Sequence, residues 1–216
     1  MVKGMTKIYL VRHGQTDWNK ELVFRGRKDI PLNEAGNMEA QSIAHVLKKE
    51  KIDAIYTSPL KRAIQTARPT SQILGIKIEP IAEFIDINYG KWEGLTFSEV
   101  QNRYKEQYTL WEKSPEKVRF PGGETLEEAR DRSFIAFKNI IKNSPNKSLL
   151  IIPHRVINKL LLCAILDIDN SNFWRIRQDT ACINVVEFSH EMFILEKMND
   201  TCHLTGIDYE TVQKDF

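Results

Sequence analysis

The sequence predicts an α/β sandwich on a largely parallel sheet, and three observations carry that prediction. Short apolar runs of strand character alternate along the chain with longer stretches of helical periodicity. Two of the runs, Ile8-Tyr9-Leu10-Val11 and Leu149-Leu150-Ile151-Ile152, are continuous rather than alternating, as in strands buried on both faces. Both run into a histidine beside an arginine, as Arg12-His13-Gly14 after the first and His154-Arg155 after the second. Ligands of open α/β sheets bind at the carboxyl ends of strands. Two such ends side by side in a sheet bring His13 and His154 together among cations.

The elements follow in order. The first strand ends at Arg12-His13, and Gly14 to Asn33 is a polar loop long enough to have a function of its own. Asn33 caps a helix from about Glu34 to Lys49, with Ala40, Ile43, Ala44 and Leu47 as its apolar stripe and His45 off that stripe. Ala54-Ile55-Tyr56-Thr57 is a second strand, ending at Ser58-Pro59. A helix follows from Leu60 to Leu74, stopped by Gly75. Arg62 lies in the first turn of that helix, where a cation opposes the macrodipole, and so it is a candidate anion ligand. Ile76 to Glu79 alternates like an edge strand. Phe84 to Gly94 is irregular, Phe97 to Trp111 reads as a helix, and Ser114 to Gly123 is a loop; residues 83–123 form an insertion covering the site. Thr125-x-x-Glu128 is a capping box opening a helix to about Lys142. The strand at Ser148 to Pro153 leads into a helix over Val156 to Leu166. Cys182 to Phe188 and Met192 to Met198 form a terminal strand pair, with antiparallel pairing expected there.

Composition excludes several classes. With 216 residues, one domain is expected. The 31 basic and 29 acidic residues leave a formal charge of +2 with no basic tract, which argues against nucleic acid. The apolar runs are too short to span a bilayer, and Met1 to Lys7 lacks the apolar core of a signal peptide, so a cytoplasmic protein that does not bind membranes is expected. Cys163, Cys182 and Cys202 are odd in number and widely spaced, which predicts neither a disulfide framework nor a zinc site. Cys163 and Cys182 read as buried, inert thiols.

The paired strand ends suit a phosphate monoester. Arginine forks match phosphate oxygens. Neutral imidazole can attack phosphorus and form a covalent intermediate. A carboxyl can protonate the leaving oxygen and later activate water. Arg12 and Arg62 serve as clamps, His13 as nucleophile, His154 as second donor, and the acid lies near Asp86.

Leu10-Val11-Arg12-His13-Gly14-Gln15-Thr16 with Trp18-Asn19 resembles the signature of the histidine phosphatase superfamily, also called phosphoglycerate mutase-like. Ser58-Pro59-Leu60-Lys61-Arg62-Ala63, Gly90-Lys91-Trp92-Glu93-Gly94 and Phe120-Pro121-Gly122-Gly123-Glu124 resemble its further motifs, and His154 stands where its second histidine stands. The resemblance implies a three-layer α/β/α sandwich, transient phosphorylation of His13, and Arg12, Asn19, Arg62 and His154 around the phosphoryl group. It implies no metal and no cofactor. Phe173-Trp174-x-x-x-Gln178-Asp179 and Asn199-Asp200-Thr201-Cys202-His203-Leu204 resemble the phosphatase branch that includes metal-independent phosphoserine phosphatases and α-ribazole phosphatases.

Three positions depart from the family pattern. Its acid is usually glutamate four residues before the motif glycine, where this chain has Asp86; Glu83 is the rival. Arg155 replaces the glycine that usually follows the second histidine, and it either adds charge to the site or points away. Tyr89 replaces the histidine usual in phosphoserine enzymes. The candidate substrate-binding set is Arg12, Asn19, Arg25, Gly26, Arg62, Tyr89, His154, Arg155 and His203. Arg25 and Arg27 read equally well as plain loop charges, and His203 as a packing residue. Trp111 reads as packing, Glu93 and Glu124 as local structural partners, and His190 as an exposed turn. The reading is a phosphatase acting on a small phosphorylated metabolite. Its rivals are a phosphoglycerate mutase and a non-catalytic phospholigand-binding module. The terminal strand offers an edge through which two copies can pair as a homodimer.

Overall fold

The computed structural model describes residues 4–205. Six strands form one sheet: β1 (Thr6–Val11), β2 (Ala54–Thr57), β3 (Ile78–Pro80), β4 (Ser148–Ile152), β5 (Ile183–Ser189) and β6 (Met192–Asp200). Their order is β3-β2-β4-β1-β5-β6. The first four positions pair in parallel, and β5 and β6 pair antiparallel, as the terminal hairpin predicts. β1 therefore lies between β4 and β5, although both come far later in the chain.

Seven helices connect and cover the sheet among the described residues: α1 (Asp17–Lys20), α2 (Glu34–Leu47), α3 (Lys61–Leu74), α4 (Phe97–Arg103), α5 (Lys105–Lys113), α6 (Leu126–Lys142) and α7 (Arg155–Ile165). Alternate strand residues divide the core in two. Tyr9, Val11, Leu150 and Ile152 face Ile43, Leu47, Ala63 and Ala67 of α2 and α3. Ile8, Leu10, Leu149 and Ile151 face Leu126, Phe137, Leu160 and Leu161 of α6 and α7. The result is the expected three-layer α/β/α sandwich. No helix among the described residues is long and apolar enough to cross a membrane.

Most boundaries agree with expectation. Asn33 Oδ1 accepts from the Gly36 amide at 2.9 Å and caps α2, and Gly75 ends α3 with a φ of +69°. The single helix expected over Phe97 to Trp111 is instead two. Tyr104, at φ −132° and ψ 44°, breaks it into α4 and α5. The break lets Tyr104, Tyr108 and Trp111 all turn toward the Trp92 and Phe120 cluster. Packing of these three aromatic rings outweighs one lost helical turn. Within residues 83–123, Phe84, Trp92, Trp111 and Phe120 are continuous with the α6/α7 core, so this segment is bound to the sandwich by apolar packing.

Candidate active site

β1 and β4 are neighbours, and their following helices leave to opposite faces: α2 packs with one core and α7 with the other. That is the switch point where an α/β sheet opens a crevice. The register also fixes what meets there. Leu10 pairs with Ile151, and continuing the same offset for three residues places His13 beside His154. The two rings lie edge to face with centroids 5.1 Å apart.

The chain positions His13 through its backbone neighbours. His13 Nδ1 is 2.7 Å from the Gly14 carbonyl oxygen. A carbonyl only accepts, so Nδ1 carries the proton and Nε2 keeps its lone pair. Burial, then the guanidinium groups of Arg62 and Arg12, hold the His13 imidazole well below the ordinary histidine value. The ring is neutral at neutral pH. The Gly14 amide donates to Thr66 Oγ1, and the Gln15 amide donates to Glu39 Oε2 at 2.6 Å. Glu39, fully buried on α2, also accepts from Thr180 Oγ1. Gly36 permits this approach, because a Cβ there would meet the Gln15 carbonyl oxygen at 2.1 Å.

Arg62, fully buried in the first turn of α3, joins the remaining parts. Its Nη1 donates to the Lys28 carbonyl at 2.7 Å and its Nη2 to the Gly26 carbonyl at 2.9 Å. Nη2 also meets Asp86 Oδ2 at 3.1 Å, and Nε donates to His154 Nδ1 at 3.2 Å. With Nδ1 accepting, His154 Nε2 carries the proton and donates to Ser58 Oγ at 2.6 Å. Burial, then Arg62 and the neighbouring His13, keep His154 well below the ordinary histidine value. Both of its ring nitrogens are thus engaged, and its Nδ1 edge is covered by Arg62.

Asp86 is buried, with Oδ1 accepting from the Ile87 amide and Oδ2 lying 3.7 Å from His154 Nδ1. Glu83 is exposed. Of the two carboxyls considered, only Asp86 joins the Arg62–His154 group. Asn19 is fully buried, its Oδ1 accepts from the Thr16 amide, and its Nδ2 has no hydrogen-bond partner among the described residues. Arg12 Nη1 donates to the Gln178 carbonyl at 2.6 Å.

Arg25, Gly26, Asp86, Tyr89 and Arg155 line one cleft together with Phe97. Gly26 enters the site through its carbonyl on Arg62. Its φ of +49°, and the Glu93 side chain beside its Cα, call for glycine. Arg27 is a structural link, donating to the Asp86 carbonyl and to Glu124. Glu93 accepts from the Arg27 amide, so it and Glu124 are local partners as expected. Arg155 begins α7, one residue before the expected start, and lies over the Trp174 ring. The turn Cys202–Leu204 packs against α2, and His203 lies beside the Ala181 backbone. Cys163 and Cys182 are buried, and burial pushes their thiols up to about 11 and about 12. Among the described residues no group of three or more His, Cys, Asp or Glu side chains is placed to hold a metal ion.

Three supporting residues escaped the sequence reading. Arg132 of α6 donates to the carbonyls of Glu83, Ile85 and Asp86 and pairs with Glu124 at 2.8 Å. Glu39 anchors the turn after His13, as described. Asn184 of β5 links Gln178, beneath Arg12, to the Leu10 carbonyl. None lies in a motif, and each acts on a partner remote in sequence.

The profile of the histidine phosphatase superfamily (branch 1) matches residues 8–201. Phosphoserine phosphatase 1 of Hydrogenobacter thermophilus is 33% identical over 200 residues, covering 93% of this chain and 95% of the relative. The solved structure of YhfR from Bacillus stearothermophilus superposes with a TM-score of 0.89 at 28% identity, over 92% of this chain and 99% of the other. A phosphoserine phosphatase of Entamoeba histolytica, solved with 3-phosphoglyceric acid, superposes with a TM-score of 0.81 at 27% identity, over 92% and 99%. The chain belongs to the histidine phosphatase superfamily.

Proposed function

We propose that this protein hydrolyses small phosphomonoesters through a phosphohistidine on His13. One observation carries the reading. The bond from His13 Nδ1 to the Gly14 carbonyl leaves Nε2 unprotonated, beside the buried cation Arg62. Nε2 attacks phosphorus as the bond to the ester oxygen breaks, and the Asp86 carboxyl gives its proton to that oxygen. Water then attacks the phosphohistidine, Asp86 takes the water proton, and inorganic phosphate leaves with His13 restored. Arg12 and Arg62 hold the phosphoryl oxygens and stabilise the charge that develops on them. The incoming dianion competes with Asp86 for the Arg62 guanidinium. The same competition uncovers the Nδ1 edge of His154. The unpartnered Asn19 Nδ2 supplies a further donor.

The names of the relatives make phosphoserine the first substrate to assay. The β6 edge, with Met192, Ile194 and Met198 exposed, supports pairing of two copies, which sedimentation at graded concentrations tests. The catalytic reading is tested with p-nitrophenyl phosphate in excess EDTA. Phosphate release in chelator, absent in His13→Ala, is expected, with an acid-labile label trapped on His13. Loss of all activity in EDTA, or full activity in His13→Ala, overturns it. Binding of phosphomonoesters without turnover favours the binding module instead.

A further inference from the structure

We propose that Glu39 supports His13 as the nucleophile through a single peptide unit, the one that joins Gly14 to Gln15. This rests on the phosphatase reading above and assigns that reaction a positioning residue that acts through the backbone.

The Gly14 carbonyl accepts from His13 Nδ1 at 2.7 Å. The Gln15 amide, at the other end of the same planar unit, donates to Glu39 Oε2 at 2.6 Å. Carboxylate, peptide unit and imidazole therefore form one hydrogen-bonded row. An amide N–H drawn toward a carboxylate shifts electron density onto the conjugated carbonyl oxygen, and bonds in such a chain strengthen one another. Both side chains at the ends of the row are buried, where water does not weaken these effects. The carboxylate is fixed in its turn. Thr180 Oγ1 donates to Glu39 Oε1 at 2.7 Å, and the next residue, Ala181, donates its amide to the His13 carbonyl at 3.3 Å.

The proposed reaction needs what this row offers. As the bond from Nε2 to phosphorus forms and the bond from phosphorus to the ester oxygen breaks, the ring gives up a lone pair while Nδ1 keeps its proton. The imidazole becomes cationic. Burial and the guanidinium groups of Arg62, Arg12 and Arg25 all oppose positive charge there, and the bond to the Gly14 carbonyl favours it. Strengthening that bond is how a remote anion helps, and no proton moves along the row. A structural role alone explains the residue poorly. A glutamine accepts from the Gln15 amide and donates to Thr180 Oγ1 with the same shape, without the cost of burying a carboxylate. What glutamate adds is the charge.

The test compares the wild-type protein with Glu39→Gln, which removes the charge and keeps the shape. The measurements are the single-turnover burst of p-nitrophenolate from p-nitrophenyl phosphate, competitive inhibition by inorganic phosphate, and the NMR resonance of the His13 Nδ1 proton in substrate-free protein. The burst rate of Glu39→Gln is expected to fall about tenfold or more, the factor that corresponds to one unit of imidazole basicity. The Nδ1 proton is expected to move upfield as its bond weakens. Phosphate inhibition is expected not to weaken, because a negative charge has been taken away from the neighbourhood of an anion pocket. A site that has merely lost its shape loses phosphate binding along with the burst, so a parallel fall in both overturns the assignment. An unchanged burst rate or an unmoved resonance overturns it as well. If Glu39→Gln does not fold, Glu39→Asp, which keeps the charge but withdraws it by one methylene, carries the same comparison with a smaller fall. No turnover of p-nitrophenyl phosphate in the wild type defeats the phosphatase reading and this inference together. Turnover with an unchanged burst rate or an unmoved resonance in the variant defeats this inference alone.

Discussion

Arg62 grips Asp86 and His154 at once: Nη2 meets Asp86 Oδ2 at 3.1 Å while Nε donates to His154 Nδ1 at 3.2 Å. A single planar group thereby sets the spacing of two side chains that come from separate parts of the chain. Removing it leaves the Asp86 carboxylate without this partner and frees the Gly26 and Lys28 carbonyls. Arg62→Met is expected to lower stability by about 3–5 kcal/mol, the cost of breaking a buried pair from one side. Its kcat/KM is expected to fall about 10²- to 10³-fold or more. Urea unfolding and steady-state kinetics check the two effects separately.

Asp86 and Glu83 make opposite predictions. Asp86→Asn is expected to reduce kcat about 10²- to 10⁴-fold on alkyl phosphates, where the leaving oxygen needs a proton. The loss is smaller on p-nitrophenyl phosphate, whose leaving group departs as a stable anion. Glu83→Gln, at an exposed position, should change neither. A large effect of Glu83→Gln with little effect of Asp86→Asn reverses the assignment.

Arg132 acts through Asp86. Its guanidinium gathers the carbonyls before and at that residue and is braced by Glu124. Burial pushes the Glu124 carboxyl up, but Arg132, the Asn88 amide and Arg27 outweigh it and hold the group below the usual range. Arg132→Ala should lower kcat about tenfold or more with little change in KM, the mark of a misplaced acid. The loss should be greater on alkyl than on aryl phosphates. An equal loss on both denotes a general structural effect.

The buried histidines couple stability to pH. Both His13 and His154 sit well below the ordinary value of 6.5 when folded. As pH falls through about 6.5, the unfolded chain takes up protons that the folded chain refuses, so stability decreases toward acid. Each histidine contributes a slope of up to about 1.4 kcal/mol per pH unit. Urea midpoints at pH 7.5, 6.5 and 5.5 should fall progressively, and less steeply in His154→Gln. An acid limb of kcat/KM that lies well below 6.5 is the kinetic counterpart, because His13 stays unprotonated there.

The strands, and the meeting of His13 with His154 at the ends of two of them, were legible because the signals are local. Continuous apolar runs mark buried strands, and Arg12-His13 and His154-Arg155 sit where those runs stop. The break at Tyr104 was not legible, because aromatic burial against distant Trp92 overrides helix propensity. Arg132, Glu39 and Asn184 read as ordinary polar residues of helix and strand. Their roles depend on carbonyls and amides brought close only by the finished fold. Arg155 was visible as a departure from pattern, but its direction needed Trp174, which lies about twenty residues on.

The position of β1 has a consequence for biosynthesis. Of the six described strands this one is synthesised first, yet both of its neighbours lie beyond residue 147. A nascent chain shorter than that carries His13 and Arg62 but has nothing to pair the first strand against. His13 is seated beside His154 only once the strands at 148–152 and 183–189 have been made, so chains that stop before residue 148 are expected to show no phosphatase activity. Such long-range pairing also makes slow folding the expectation.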